Sequence, residues 1–351
     1  MRTAQHGKKG EQAEVTKCLR LLLLTAIVAL CSCSGGPQSL LPKSGGRPYE
    51  VMLVASDGRC AAVVDSVLAQ DMPSLPQPEQ MFDVSRIDST RFNQTTRLAR
   101  CIVIVTVNPA IFTSTRIRYE KNVWARPQLV VYVNTPSASQ LSLYMAKAGR
   151  NLTALLTRAE INTAISALRA GSNPKAENSI RRMFGWDMRI PADMKAGKTG
   201  RNFIWLSDNG ADRMRNICVY SYSGTALDAA RALAMRDSVM KANIPGELDG
   251  MYMQTVPGSV TAGLTKERKR TAMICRGLWE MRNDAMGGPF VSYSTIDSAN
   301  SRIIVAEAFV YAPGTRKRNL IRSAEAALYT LDKPQRQARQ DDADRTARHT
   351  D

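Results

Sequence analysis

The run CIVIVTV, Cys101–Val107, decides the fold of this chain. Six of its seven residues are β-branched, and no charged residue interrupts it. β-Branched residues favour the extended conformation of a pleated strand. A continuous apolar run of this length, unlike an alternating one, is typical of a strand that is buried on both faces of a sheet. The run therefore predicts a strand with protein on both sides.

Similar patterns before and after this run predict a partly parallel sheet. YEVMLVA, Tyr49–Ala55, predicts an earlier strand, and a helix follows it near Gly58–Ala69. A basic segment around Ser114–Asn122 comes after the run, and QLVVYV, Gln128–Val133, then predicts a further strand. The first half of the chain is thus predicted to run β-α-β-α-β, an order that favours strands lying parallel.

Helices close the first half. A long helical region begins at Ser137, and its apolar residues keep helical spacing as far as Leu168. Gly171 and Pro174 end it, because neither residue continues a helix well. A shorter helix, about Lys175–Phe184, leads out of the first half.

The second half is rich in strands and ends with a helix. Short strands are predicted at Met188–Pro191, Arg201–Ser207, Asn216–Gly224 and Met251–Val256, a helix at Thr225–Ala242, and longer strands at Arg270–Met281, Pro289–Ile296 and Arg302–Tyr311. The last two longer strands are joined by a short polar connection, which favours an antiparallel meander. A last helix is predicted at Arg316–Leu331. The whole chain is therefore predicted to be α+β, with mixed or antiparallel sheets and packed helices.

LLLLTAIVALCSCSGG, Leu21–Gly36, predicts an export signal rather than a membrane span. A span needs about 20 apolar residues, whereas this run stops at Cys31 and follows a basic segment, as secretory signals do. The sequence before Cys33 resembles the lipobox of bacterial lipoproteins, with a small residue next to the cysteine and Leu30 three positions before it. That resemblance implies a signal peptide at residues 1–32 and acylation of Cys33; Cys31 fits poorly because bulky Leu30 precedes it. A buried N-terminal helix is the structural alternative.

Charge indicates the kind of partner. The net charge is +17, and it becomes +14 when the five Lys/Arg and two Asp/Glu of the predicted signal peptide are removed. A basic chain in the cytosol would suggest nucleic acid, but export removes that partner. Lipid head groups, lipopolysaccharide phosphates and the carboxylates of glycans or peptides are the anions available in a cell envelope. Charge that serves only solubility is the alternative.

Histidine and cysteine usage bounds the chemistry. The two histidines, His6 and His349, lie in the predicted leader and tail. Ser-His-Asp and Cys-His centres, and zinc sites that need an imidazole, are therefore excluded from the folded region. Four cysteines lie beyond the predicted lipobox: Cys60, Cys101, Cys218 and Cys275. Their wide spacing shows no CxxC pattern, so no metal or cofactor is expected, and disulfides and buried free thiols both stay open.

Two carboxylates flank a Gly-Gly-Pro turn in AMGGPF, Ala285–Phe290. Glu280 and Asp284 are weak catalytic candidates, because glycan hydrolases use a pair of carboxylates as acid and base. Solvated charges beside a turn that leads into a strand are the simpler interpretation.

A basic cluster lies in the first turn of the last predicted helix: Arg316, Lys317 and Arg318. Cations are unfavourable there, because the start of a helix carries a partial positive charge. The unpaired N–H groups of that turn favour an anion instead. These three residues are therefore the candidate anion-binding site.

Three stretches together resemble an uncharacterised domain-of-unknown-function family of lipoproteins from Bacteroidota. They are LLPKSGGRPYEVMLV (Leu40–Val54), LWEMRNDAMGGPFVSYSTID (Leu278–Asp297) and FVYAPGTRKRNLIRSAEAALYTL (Phe309–Leu331). The resemblance covers nearly all of the chain after the predicted signal peptide. It implies an envelope location and lipidation, and it supplies no activity and no catalytic residues. It also implies that the two halves belong together.

Residues 48–331 are accordingly predicted to form one α+β domain, with separate halves at 48–185 and 186–331 as the alternative. The Ser-, Gly- and Pro-rich residues 33–47 are predicted to be a flexible tether, and residues 332–351 a disordered tail.

These features predict an outer-membrane lipoprotein that faces the periplasm. No acidic cluster follows Cys33, which favours the periplasmic face over surface display. A binding or scaffolding role is expected, with the membrane bound through the lipid anchor and an anionic envelope component or an envelope protein as further partner. Nucleic acid is not expected as a partner. A histidine-free hydrolase acting on envelope glycan or peptide is the alternative.

Overall fold

A computed structural model describes residues 41–267 and 270–334. Within these ranges the chain forms five α-helices and thirteen β-strands in two sheets, which confirms the predicted α+β fold. No helix in the described residues is long and apolar enough to cross a bilayer. The predicted signal peptide, Cys33 and most of the predicted tail lie outside the described residues.

The helices are α1 (Gly58–Leu68), α2 (Ala138–Ala170), α3 (Pro174–Phe184), α4 (Ala229–Asn243) and α5 (Arg318–Leu328). The first sheet contains β1 (Glu50–Val54), β2 (Asp83–Ile87), β3 (Cys101–Val107), β4 (Arg116–Lys121) and β5 (Leu129–Thr135). The second sheet contains β6 (Ala196–Gly200), β7 (Phe203–Ser207), β8 (Met214–Ser223), β9 (Met253–Thr255), β10 (Thr261–Glu267), β11 (Arg270–Met281), β12 (Gly287–Asp297) and β13 (Arg302–Tyr311).

The first sheet has the strand order β2-β1-β3-β5-β4, so the CIVIVTV run is its central strand. Strands β2, β1, β3 and β5 are parallel, as the sequence predicts. The predicted β-α-β-α-β order is wrong at two points: the unpredicted strand β2 lies between α1 and β3, and the basic segment forms the antiparallel edge strand β4 and not a helix. Most residues of β4 are exposed, and an edge strand in that position needs no apolar pattern.

Helices α1 and α2 pack together on one face of the first sheet. Their apolar side chains share a buried core with Leu53, Val103 and Val131, which point to that face from β1, β3 and β5. The two helices touch closely, since a Cβ atom at Gly149 would lie 3.0 Å from Val67. This side of the sheet therefore holds the main core of the first half.

No helix of the described residues packs on the opposite face of the first sheet. Its cluster contains three buried apolar side chains, Val54, Ile102 and Val130. Ile104 and Tyr132 are only partly buried there, so the prediction that β3 is buried on both faces holds for part of the strand. The surface of strands β1–β5 on this side, with the loops 88–99 and 122–127 that partly cover it, is called the helix-free face below.

The strand order explains why this face has no helix. The chain moves from β1 to its neighbour β2 through α1, and then crosses back over β1 to reach β3. Because crossovers between parallel strands are right-handed, two crossovers in opposite directions must lie on opposite faces of the sheet. The return crossover, residues 88–100, contains only two short 3₁₀ turns. It covers the sheet with a loop where most such proteins place a helix.

The second sheet has the order β10-β11-β12-β13-β8-β7-β6, with β9 paired to β11. Strands β11, β12 and β13 form the predicted antiparallel meander. Helices α3 and α5 and the end of α2 pack on one face, and α4 packs on the other. The prediction of a strand at Met188–Pro191 is wrong: this segment makes a single bridge, from Pro191 to Ser172.

Both ends of the described chain are more ordered than predicted. Lys43 and Gly45, which fall in the predicted tether, form bridges to Arg126 and Ala99. Asp332, the first residue of the predicted tail, exchanges two backbone hydrogen bonds with Asp187. The ordered part of the chain therefore extends beyond residues 48–331 at each end.

The four cysteines of the folded region are free and buried. Burial raises the pKa of the Cys101 and Cys218 thiols well above the ordinary value. Of the two alternatives that the sequence leaves open, the structure shows buried thiols.

Candidate functional site

The predicted anion site at the start of α5 is occupied by the chain's own carboxylate. The backbone N–H groups of Lys317 and Arg318 donate to the two oxygens of Glu79, at 2.6 and 3.0 Å. Glu79 lies in the loop before β2, so this contact joins the two halves of the chain. The N–H groups of this helix start therefore already have a carboxylate partner from within the fold.

The side chains of this cluster are largely engaged as well. The ammonium of Lys317 donates to Gln77 at 2.8 Å, and the guanidinium of Arg318 pairs with Asp83 at 2.6 Å. Both residues are buried. Arg316 is 83% exposed and lies 3.5 Å from Asp83. The cluster therefore serves the junction between the halves, and only Arg316 faces solvent.

The two catalytic candidates have local structural partners. Glu280, on β11, accepts a hydrogen bond of 2.8 Å from the side-chain amide of Gln254 on the neighbouring strand. Asp284 is exposed in the turn after β11 and accepts from the backbone N–H of Ala285 at 2.6 Å. Neither lines the cavity at the amino ends of β1 and β3 or the groove between α1 and α2. These contacts fit the interpretation that Glu280 and Asp284 are charges beside a turn rather than a catalytic pair.

Two buried ionic groups lie on opposite faces of the second sheet. Glu325 of α5 is fully buried and is contacted by Arg276 and Arg322, and the hydroxyl of Tyr329 donates to it at 2.8 Å. Burial alone would raise the pKa of Glu325, but the two guanidinium groups lower it to about 2. On the other face Arg236 and Glu307 form a fully buried pair, also surrounded by protein. Both groups are enclosed parts of the core.

The helix-free face carries cations held against aromatic rings. The guanidinium of Arg97 lies 5.4 Å from the ring centres of both Phe92 and Trp124. That of Arg118 lies 3.8 Å from the ring centre of Tyr132. Such contacts are cation–π interactions, which hold a guanidinium in a fixed orientation without neutralising it.

One buried side chain positions both loops that cover this face. The amide nitrogen of Gln128 donates to the backbone carbonyls of Arg97 and Ala99, each at 2.7 Å. Its oxygen accepts from the backbone N–H of Trp124 at 2.9 Å. Gln128 thereby ties loop 88–99 to loop 122–127 and brings Arg97 to Trp124. Because Gln128 is buried and its amide is satisfied, this arrangement is fixed by the fold.

The charge of this region is strongly unbalanced. Residues 84–134 contain eight Arg or Lys and two Asp or Glu. Arg86 and Arg100 turn away to the helix-covered side, where they pair with Asp65 and Glu160. Arg118 pairs with Glu120. Four other arginines at this face form no salt bridge within the described residues: Arg91, Arg97, Arg116 and Arg126.

Two cavities lie near the first sheet. One of about 230 Å³ opens at the amino ends of β1 and β3 and is lined by residues that include Gly45, Met52, Ser85 and Thr96. A groove of about 590 Å³ runs between α1 and α2 and is lined mainly by polar groups, among them Gln70 and Arg150. No group of three or more His, Cys, Asp or Glu side chains in the described ranges could hold a metal ion.

Sequence reasoning missed the helix-free face, although one signal for it was present. The basic segment around Ser114–Asn122 was visible as a run of charge, and it forms β4 at the edge of this face. What the sequence did not show is that β4 lies beside Tyr132 and that Gln128 brings Arg97 onto Trp124. Those contacts join side chains from three separate segments.

The fold thus defines an α+β protein of two sheets that are joined through α5. Residues 44–169 match the family described as Domain of unknown function (DUF8532), and residues 173–330 match the family described as Domain of unknown function (DUF4837). Together the matches span nearly all of the described residues. Each half of the chain therefore matches an uncharacterised family, which agrees with the expected resemblance to a domain of unknown function.

No curated protein matches the sequence. Among solved structures, a crystal structure from Bacteroides thetaiotaomicron is similar at 12% identity, with a TM-score of 0.20. The match covers 43% of this chain and 45% of that one, so it spans less than half of either protein. A likeness of this size carries no argument about fold or function.

Proposed function

We propose that this chain is a lipid-anchored cell-envelope protein, on the periplasmic side of the outer membrane, that binds an anionic envelope component through its helix-free face. Its role in this proposal is binding or scaffolding. The observation that carries the proposal is the cluster of arginines on that face. Four of them form no salt bridge within the described residues, and Arg97 and Arg118 are held against aromatic rings.

The arrangement suits an anion for physical reasons. A guanidinium group presents donors in a planar fork that matches phosphate and carboxylate oxygens. Arg97 is already oriented by Phe92 and Trp124, so less side-chain entropy is lost when a ligand binds. Because four further cations lie at the same face, an anion there meets attraction from several directions.

Export and lipidation support the location of this partner. The proposed acceptor is Cys33, and acylation would hold the domain at a membrane surface. The ligands in reach would then be lipopolysaccharide phosphates, acidic lipid head groups or peptidoglycan carboxylates.

Titration calorimetry of the full lipidated chain in neutral detergent tests this proposal. The titrants are lipopolysaccharide and soluble peptidoglycan fragments, each at low and high salt. The test variant is R97Q/R118Q, and the matched control is R59Q/R169Q, which removes two exposed arginines from α1 and α2 on the other side of the sheet. We expect salt-sensitive binding that the test variant loses and the control keeps. Equal binding by both variants, or none by the wild type, would contradict the proposal.

A further inference from the structure

The point at which the chain enters the fold lies beside the helix-free face. The backbone N–H of Arg126 donates to the carbonyl of Pro42 at 2.8 Å, and the N–H of Gly45 donates to Leu98 at 2.8 Å. The hydroxyl of Ser44 donates to the carbonyl of Pro127 at 2.6 Å. The first described residues are thus fixed along both loops of this face.

The number of residues between the proposed anchor and that entry point limits how far apart the two can be. Eight residue steps separate Cys33 from Leu41, and an extended chain of that length spans at most about 28 Å. A compact chain of this size has a radius of gyration of about 19 Å, and so a width of roughly 50 Å. The tether is therefore too short to bring the far side of the molecule to the bilayer. An acyl chain on Cys33 would keep the helix-free face within reach of the lipid surface.

The cations of this face are spread out and do not converge on one cavity. Arg91 and Arg97 lie in one loop, Arg126 lies in the other, and Arg116 and Arg118 lie on β4. None of these five residues lines the cavity of about 230 Å³ on the same side of the sheet. An arrangement of this kind suits an extended anionic surface better than a small anion that must be enclosed.

The aromatic side chains also suit a membrane surface. Trp124 and Tyr132 are partly exposed on this face, and both have a ring that prefers an apolar setting and a polar group that prefers water. Such side chains are common at the level of lipid head groups, where basic residues are attracted to anionic lipids.

We infer that the helix-free face rests on the anionic lipid surface to which the chain is anchored, with phospholipid head groups as the anions bound by its arginines. This inference rests on the proposed function, and it names the partner of the same face.

Tryptophan quenching by brominated lipid tests the inference. The full lipidated chain is placed in vesicles of phosphatidylcholine alone, or of phosphatidylcholine and phosphatidylglycerol in equal parts, each with brominated phosphatidylcholine. Trp124 is the one tryptophan on this face: Trp186 and Trp279 are buried in the second half of the chain, and partly buried Trp205 lies on β7 of the second sheet. The variant W124F identifies its signal. We expect quenching of Trp124 in the anionic vesicles and its loss at high salt.

The charge variants make the test specific. R97Q/R118Q should lower the ratio of docked to undocked protein about thirtyfold, which corresponds to the attraction of two cations to an anionic surface. R116Q/R126Q, which disturbs no aromatic contact, should lower that ratio to a similar extent. The control R59Q/R169Q should leave it unchanged. Circular dichroism of each variant shows that it is folded.

The outcomes separate this inference from the proposed function. Equal quenching in both kinds of vesicle, equal loss in all three charge variants, or a chain that takes up no fatty acid would overturn the inference. If peptidoglycan fragments or lipopolysaccharide bind through Arg97 and Arg118 while Trp124 is not quenched, the inference fails and the proposed function stands. If neither lipid nor a soluble anion binds, both fail.

Discussion

Replacing Glu79 with alanine should weaken the junction between the two halves by about 3 kcal/mol. The carboxylate accepts hydrogen bonds of 2.6 and 3.0 Å from the first N–H groups of α5. Hydrogen bonds to a charged group contribute about 1.5–3 kcal/mol each. The two hydrogen bonds share one carboxylate, and water can replace part of them in the variant. The expected decrease in the free energy of unfolding is therefore about 3 kcal/mol. At an unfolding entropy of about 0.6 kcal/mol/K for a chain of this size, the melting temperature falls by about 5 °C.

The same variant should gain an anion site. Without Glu79, the N–H groups of Lys317 and Arg318 have no acceptor, and a helix start of this kind binds phosphate. Phosphate should therefore raise the melting temperature of E79A by more than it raises that of the wild type, whose own rise measures the general effect of the salt. Differential scanning calorimetry across a phosphate series, with the exposed Glu247→Ala as control, gives both numbers. Equal melting temperatures for E79A and E247A, or an equal rise in melting temperature with phosphate for all three proteins, would contradict this prediction.

Three further predictions follow from the anchor, the core and the junction. Cys33→Ala should abolish incorporation of a clickable fatty acid and leave unprocessed precursor, whereas Cys31→Ala should be labelled as the wild type is; label on the Cys33 variant would disprove the assignment. E325Q should lower the free energy of unfolding at neutral pH by about 3 kcal/mol, because it leaves buried Arg322, and Arg276 with its 21% exposed side chain, without a counter-charge. The folded pKa of Glu325, about 2, lies below its ordinary value of 4.5, so this stabilisation is present above pH 4.5, and the difference in denaturant midpoint from the wild type should shrink as the pH falls toward 2. A fragment of residues 41–334 should unfold in one calorimetric transition, since α5 is bound to both halves; two well-separated transitions would show independent domains.

The sequence predicted those elements whose pattern is set by burial within a single segment. Cys101–Val107 is a strand because β-branched side chains are buried there, and Gly171 ends α2 as expected. β4 was missed because its edge position lets it keep charged residues in a strand. In the second half the long strands were predicted, since they follow each other through short turns, whereas β6 and β10 were missed.

The candidate site was beyond prediction for a different reason. Glu79 and the start of α5 are 238 residues apart, so no local pattern shows that the N–H groups of the helix already have a carboxylate. The helix-free face depends on which side of the sheet each crossover takes, and on Gln128 joining two loops. Both are properties of the assembled fold, whereas the excess of basic residues that supplies the site was visible from the start.

The central claim is that the helix-free face is the surface that binds an anionic envelope component. Hydrogen–deuterium exchange of the full lipidated chain, with and without lipopolysaccharide or anionic vesicles, locates the contact directly. The account predicts slower exchange in residues 89–98 and in β4, with no change at the start of α5. Slower exchange at Arg316–Arg318 with none on the helix-free face would contradict it.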